Sequence, residues 1–178
     1  MNAPAMGEAP RRADLGFLLS HPAHWVALGF GSGLAPVAPG TVGTLWAWLA
    51  FVVFDRWLSA AQWGALLVGA ALVGWWACTL AARHLGSADP SAIVWDEVLA
   101  FWLVLWLLLP ASWLAQAIAF ALFRYFDAAK PGPVAWADRL FEPRGGAIGW
   151  AQGFGIMLDD LVAAGCTLLV VAAWKALT

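Results

Sequence analysis

Residues 62–82 contain no charged side chain. A helix of that length matches the ~20 apolar residues needed to cross a bilayer core about 30 Å thick. Three further apolar blocks, at about 42–57, 98–123 and 161–174, surround it, and the third holds Pro110 near its middle. The first and last are short for a span and would need help from neighbouring residues or local thinning of the bilayer. Polar residues collect between the blocks, at 29–41, 83–97 and 124–160. Inside hydrocarbon the backbone must satisfy its own hydrogen bonds, so only helices or a closed barrel can span. No alternating pattern with regularly spaced turns argues for a barrel. The expected fold is all-α: a multi-helix integral membrane bundle formed by residues 25–178, behind a cytoplasmic N-terminal tail of residues 1–24. That tail is expected to be partly disordered. Its Arg11-Arg12 pair is followed by only a brief apolar patch, residues 15–19, and then His21-Pro22, which suits neither a signal peptide nor a twin-arginine leader.

Composition agrees with a membrane protein. Of the 178 residues, 63% are hydrophobic and 11% charged, whereas a soluble domain carries about 25% charged residues. There are 14 tryptophans, a residue that favours bilayer interfaces. Trp75, Trp76, Trp102 and Trp106 lie inside apolar runs and read equally well as core. A net charge of −2 leaves no basic face for nucleic acid. Cys78 and Cys166 both fall in apolar segments without metal-binding spacing, so they read as small buried residues rather than a disulfide or a zinc site. Nothing in the chain points to a protein partner.

The basic residues set the topology. Arg11, Arg12, Arg83, Arg124, Lys130, Arg139 and Arg144 belong on the cytoplasmic side by the positive-inside rule. If the first two blocks go out and back, residues 124–144 join the others only if the third block also enters and returns. Pro110 supports that, since proline breaks a helix and disfavours αR in the residue before it. Each half is then about 18–21 Å of helix, and the pair is expected to form a re-entrant helical hairpin. A single Pro-kinked span is the alternative, and it would leave two charge clusters on opposite faces.

The acids mark the candidate site. Asp96 and Glu97 open the third block, Asp127 closes it, and Asp159 and Asp160 open the fourth. Helix capping accounts for one acid per helix, but not for two adjacent pairs, nor for an acid at a C-terminal end. Carboxylates crowded beside a membrane repel one another and lose solvation, so a shared cation is the natural compensation. An all-oxygen ligand set suits Mg²⁺. The stretch "GFGSGLAPVAPGTVGTLWAW" (29–48) is a glycine-rich entry to a helix, where backbone N–H groups and the hydroxyls of Ser32, Thr41 and Thr44 can receive an anion. In "FRYFDAAKPGP", Lys130 precedes Pro131, so its ammonium projects from a helix end. With Arg124 it can face a phosphate at the membrane surface. "VAWADRLF" (134–141) reads as an interfacial run lying on headgroups.

Together, "GFGSGLAPVAPGTVGTL", "IVWDE", "FRYFDAAKPGP" and "GIMLDD" resemble the bacterial phosphatidylglycerophosphatase A family, in the same order from residue 28 to about 165. The resemblance implies a multi-pass enzyme of the bacterial inner membrane with its active site facing the cytoplasm. Such an enzyme uses Mg²⁺ to convert phosphatidylglycerophosphate to phosphatidylglycerol in phospholipid biosynthesis. It places Asp96 and Glu97, Asp127 and Lys130, and Asp159 and Asp160 in the family's three charged motifs. Asp96, Asp127, Lys130 and Asp160 are then expected to carry catalysis, and the five acids to hold metal. Water attack and an aspartyl-phosphate intermediate both remain open, as does the number of ions. Two readings compete: a phosphatase acting on another lipid phosphate, and a small transporter or channel subunit with the acids as an ion path. A transporter's acids should fall mid-span, whereas these lie at span ends beside basic and glycine-rich loops.

Overall fold

The computed structural model describes residues 11–141 and 148–177, and among these all regular structure is helical. Eight α-helices follow one another: α1 (Leu15–Leu19), α2 (Pro22–Ala27), α3 (Pro39–Phe54), α4 (Ala60–Leu85), α5 (Trp95–Leu108), α6 (Trp113–Ala129), α7 (Pro133–Leu140) and α8 (Trp150–Leu177). A short 3-10 segment, Gly29–Leu34, leads from α2 towards α3.

Local chemistry sets most of the boundaries. Ser59 and Gln62 form a reciprocal capping box at the start of α4, and Gly86 ends that helix in the left-handed conformation. Pro39 and Pro133 sit in the first turns of α3 and α7, where a missing N–H costs nothing. The Leu109-Pro110 bond stops α5, and Ser112 caps α6. Lys130 closes α6 with a positive φ of 44°, a conformation tolerable here because Pro131 ends the helix in any case.

Helices α5 and α6 run back alongside each other. Phe101 meets Phe120 and Phe123 with ring centroids 5.7 and 5.6 Å apart. The start of α5 meets the end of α6, with Glu97 Oε1 3.6 Å from Arg124 Nη1. The same end of the bundle gathers the close of α4, where Arg83 Nε donates to Ile148 O at 2.8 Å, and Arg11, whose backbone N–H reaches Leu85 O. Arg139 is exposed on α7, and Arg144 lies outside the described residues.

The core is an aromatic seam. Phe51 stacks on Trp63 at 4.3 Å, and Trp102 packs edge-on to Trp63 and Trp95. Indole nitrogens inside it donate to helix carbonyls, Trp95 to Ala70 O (3.0 Å) and Trp102 to Ala47 O (2.8 Å), so these polar atoms are buried but bonded. Trp102 is thus core, whereas Trp76 stays exposed. Both cysteines are free thiols, Cys78 buried and Cys166 half-buried.

Two sequence expectations change. Helix α8 does not open at the acid pair. It starts at Trp150, so Asp159 and Asp160 lie in its interior. Two glycines of this helix are points of close approach. A Cβ on Gly153 would strike the Thr79 side chain and come within 2.8 Å of Thr79 Cα, and a Cβ on Gly155 would lie 2.7 Å from Phe141 Cβ. Within the 1–24 stretch, residues 1–10 lie outside the described residues. The remainder is folded onto the body, with Phe17, Leu18, Ala23 and His24 buried. His24 accounts for much of this: its Nδ1 pairs with Phe17 O and its Nε2 with His84 Nδ1, both at 2.8 Å.

The α4–α8 contact generates a test. We expect Gly153→Val to lower stability in detergent by about 1–3 kcal/mol through overpacking against Thr79. Gly69→Ala, where an added Cβ meets nothing within 4 Å, should be neutral or slightly stabilising. Thermal unfolding of the two variants measures the difference.

Candidate active site

Four helices and one loop converge on one polar cavity of about 300 Å³. The start of α3 contributes Pro39 and Gly40, the loop before α5 Asp89 and Ser91, and the first turn of α5 Asp96 and Glu97. The end of α6 adds Arg124, Asp127 and Lys130, and the interior of α8 adds Asp159 and Asp160. Six carboxylates and two cations line one small space.

Asp96, Glu97 and Asp160 form its centre, each offering an oxygen within 4.8 Å of the others. They are only 8%, 9% and 3% exposed, so water does little to screen their repulsion. The Asp96 Oδ1 accepts the Glu97 backbone N–H at 3.1 Å, and Arg124 approaches Glu97. Among the described residues Glu97 Oε2 and Asp160 Oδ2 are buried without a hydrogen-bond partner. Orphaned anionic oxygens in a hard-oxygen set fit a divalent cation such as Mg²⁺.

The other two predicted ligands are ion-paired. Asp127 is bound by the Arg124 guanidinium one turn before it. Asp159 Oδ2 accepts from Lys130 Nζ at 2.7 Å. Lys130 has a second partner that the sequence did not suggest, Asp138 on α7. Burial works against the lysine's charge, but these two carboxylates outweigh it and hold its pKa above the ordinary lysine range. A usable signal for Asp138 did exist: it follows Lys130 by eight residues across the turn-forming Pro131-Gly132-Pro133, which folds α7 back towards the helix end.

The predicted hydroxyl donors lie elsewhere. Ser32 Oγ donates to Gly29 O and Thr44 Oγ1 to Gly40 O, both within the backbone. Thr41, half-buried, is not among the residues lining the cavity. What the glycine-rich entry does supply is proximity. A Cβ on Gly40 would collide with Glu97 Oε1 and crowd Arg124 Nη2 at 3.1 Å, so only glycine lets the start of α3 come this close.

Comparison with known proteins gives this cavity a context. The profile of the phosphatidylglycerophosphatase A family matches residues 25–175. The phosphatidylglycerophosphatase A of Escherichia coli K12 is 35% identical over 157 residues, covering 86% of each chain. The Haemophilus influenzae protein of the same name is 37% identical, covering 87% of this chain and 90% of its own. A Bacteroides thetaiotaomicron protein, provisionally named a phosphatidylinositol-3-phosphatase, is 38% identical, covering 84% of this chain and 92% of its own. No solved structure matches. With the family profile matched from α2 almost to the end of α8, the chain belongs to the phosphatidylglycerophosphatase A family.

Proposed function

We propose that this chain is a Mg²⁺-dependent membrane phosphatase that hydrolyses the terminal phosphate of phosphatidylglycerophosphate, releasing phosphatidylglycerol. The observation that carries the proposal is the trio Asp96, Glu97 and Asp160, buried together with two of their oxygens unpartnered and two cations beside them. A phosphate dianion could not enter a cavity with six carboxylates unless a metal first balanced them. In our account Asp96, Glu97 and Asp160 hold the ion. Bound there, Mg²⁺ would supply Lewis-acid polarisation of the phosphate and charge neutralisation.

The chain's own residues do the rest. Asp127 holds the Arg124 guanidinium at the cavity wall. Lys130 keeps its proton and so acts as a fixed positive charge rather than a proton donor. Incoming phosphate oxygens compete with Asp138 and Asp159 for its ammonium. As the P–O bond breaks, negative charge grows on the leaving glycerol oxygen, and a cation placed there stabilises the transition state more than the bound substrate.

The surface supports placement in a bilayer. Helices α4 and α8 are long and apolar enough to cross. Leu45, Leu49 and Val53 of α3, Val68 and Leu72 of α4, Ile118 of α6 and Leu169 of α8 are exposed. From Asp160 to Leu177, α8 runs about 26 Å, close to one hydrocarbon thickness. The acid trio therefore belongs at one face of the bilayer, which we assign to the cytoplasmic side because Arg11, Arg83, Arg124 and Lys130 gather there. The segment 109–112, at the far tip of the α5–α6 hairpin, carries no charge, which suits a re-entrant hairpin. A lipid phosphate at headgroup depth would meet the cavity without leaving the membrane.

Phosphate release from a panel of lipid phosphates, with and without EDTA, tests the assignment. We expect phosphatidylglycerophosphate to be the preferred substrate and EDTA to abolish turnover. Preference for a phosphoinositide would favour the activity carried in the Bacteroides relative's name. Glu97→Gln and Asp160→Asn should each lower kcat by at least about a hundredfold, the scale of losing a preorganised electrostatic group.

Lys130→Ala should lower kcat/KM by about two orders of magnitude. Lys130→Arg should rescue it poorly, because a planar fork does not replace a point charge between two carboxylates. The Asp138 pair is partly solvent-exposed and worth under about 1 kcal/mol, so Asp138→Asn should cost less than about tenfold. Wild-type kinetics in Lys130→Ala would leave that residue as a headgroup anchor only.

A further inference from the structure

A second polar space, of about 650 Å³, adjoins the catalytic cavity and shares Pro39, Asp89 and Ser91 with it, so one wall belongs to both. Its other walls come from residues 11–13, from residues 33–36 ahead of α3, and from the turn after α4. The Arg11 backbone N–H donates to Leu85 O at 2.9 Å, which fixes the Arg11-Arg12 pair at the end of α4 beside this vestibule. Both arginines are exposed, and neither side chain forms an ion pair or hydrogen bond with another described residue. Charge changes sign across the shared wall. Among the described residues the cavity is lined by six carboxylates and two cations, but the vestibule by two arginines and the single acid Asp89. A third space, of about 230 Å³, also borders the cavity, through Asp89 and Asp159. Its charged lining is all acid, Asp89, Asp138 and Asp159, and repels an anion.

We propose that the vestibule is the outlet for inorganic phosphate, with Arg11 and Arg12 as its anion-binding pair. This inference rests on the lipid-phosphatase reading above and extends it to how the two products part. The lipid product stays in hydrocarbon, whereas free phosphate carries charge that hydrocarbon excludes and must leave through water. Of the two spaces that border the cavity, only the vestibule offers that ion cations. A guanidinium presents a planar fork of N–H donors that matches phosphate oxygens. Because Arg11 and Arg12 have no partner within the chain, phosphate displaces no carboxylate to reach them. Ser87 and Ser91 add hydroxyls to the same lining. The substrate's own phosphodiester is the other oxyanion of this chemistry, and the experiment separates the two.

Equilibrium dialysis of radiolabelled inorganic phosphate against the full chain, in detergent with EDTA, isolates the vestibule, because without metal the cavity's carboxylates repel the ion. We expect saturable binding that weakens by about tenfold or more when Arg11→Gln and Arg12→Gln are combined, the scale of losing charge-assisted hydrogen bonds. Combined Arg11→Lys and Arg12→Lys should recover part of it. Arg139→Gln, on the exposed side of α7, should bind as the wild type does. In turnover with Mg²⁺, the double Gln variant should lose the part of phosphate inhibition that saturating lipid does not relieve. Its kcat/KM for phosphatidylglycerophosphate relative to phosphatidate should not change. A fall in that ratio means that the arginines hold the substrate's phosphodiester, and overturns the outlet. Equal phosphate affinity in the wild type and the double Gln variant overturns it as well. Wild-type protein that binds phosphate in EDTA but releases none from any lipid phosphate overturns the lipid-phosphatase reading instead.

Discussion

Mutual repulsion among Asp96, Glu97 and Asp160 is the constraint on which the rest of this structure depends. Three nearly enclosed carboxylates cannot stand together without positive charge, and Arg124 is shared between Glu97 and Asp127. The fold keeps them together by covalent and steric means. Asp96 and Glu97 ride on the first turn of α5, while Asp160 is held inside α8 by the glycine contacts that press α8 against α4 and α7. On the proposed reading, a divalent ion bound there would relieve the electrostatic cost of this site. Stability and ion binding would then be linked: an ion that binds only the folded chain raises its stability in proportion to the logarithm of its concentration.

The same geometry explains why the helices differ in length. Helices α3, α5 and α6 have 16, 14 and 17 residues and start or stop at the acid level. Helices α4 and α8, with 26 and 28 residues, extend beyond it. The excess turns of α4 and α8 carry the packed α1–α2 segment and α7, and α7 returns Asp138 to Lys130. The site thus lies where the shorter helices end and the longer α4 and α8 continue.

Much of this was legible in the sequence wherever a local rule had one strong answer. Pro110 divided the third apolar block into two helices, α5 and α6, that run back alongside each other and bring Glu97 near Arg124. Lys130 before Pro131 marked a helix end. What was not legible depended on contacts between distant segments. Glycine disfavours helices in isolation, so the place of Gly153 and Gly155 inside α8 had no local signal. Their role as approach points appears only when Thr79 and Phe141 are in place. Ser32 and Thr44 read as anion donors by residue type, yet each hydroxyl found a carbonyl within its own turn, the usual competition between ligand and local backbone. Asp138 was hidden because its run reads as an interfacial helix when its partner lysine is left out.

Direct titration with Mn²⁺, followed by its electron paramagnetic resonance signal on purified protein in detergent, tests the central claim most closely. The account predicts saturable Mn²⁺ binding that Mg²⁺ displaces. Affinity should be weaker by at least about tenfold in Glu97→Gln and Asp160→Asn, on the scale of losing one charged ligand. Asp138→Asn should bind as the wild type does. Equal Mn²⁺ affinity in the wild type and in a chain with Asp96, Glu97 and Asp160 all neutralised would contradict it.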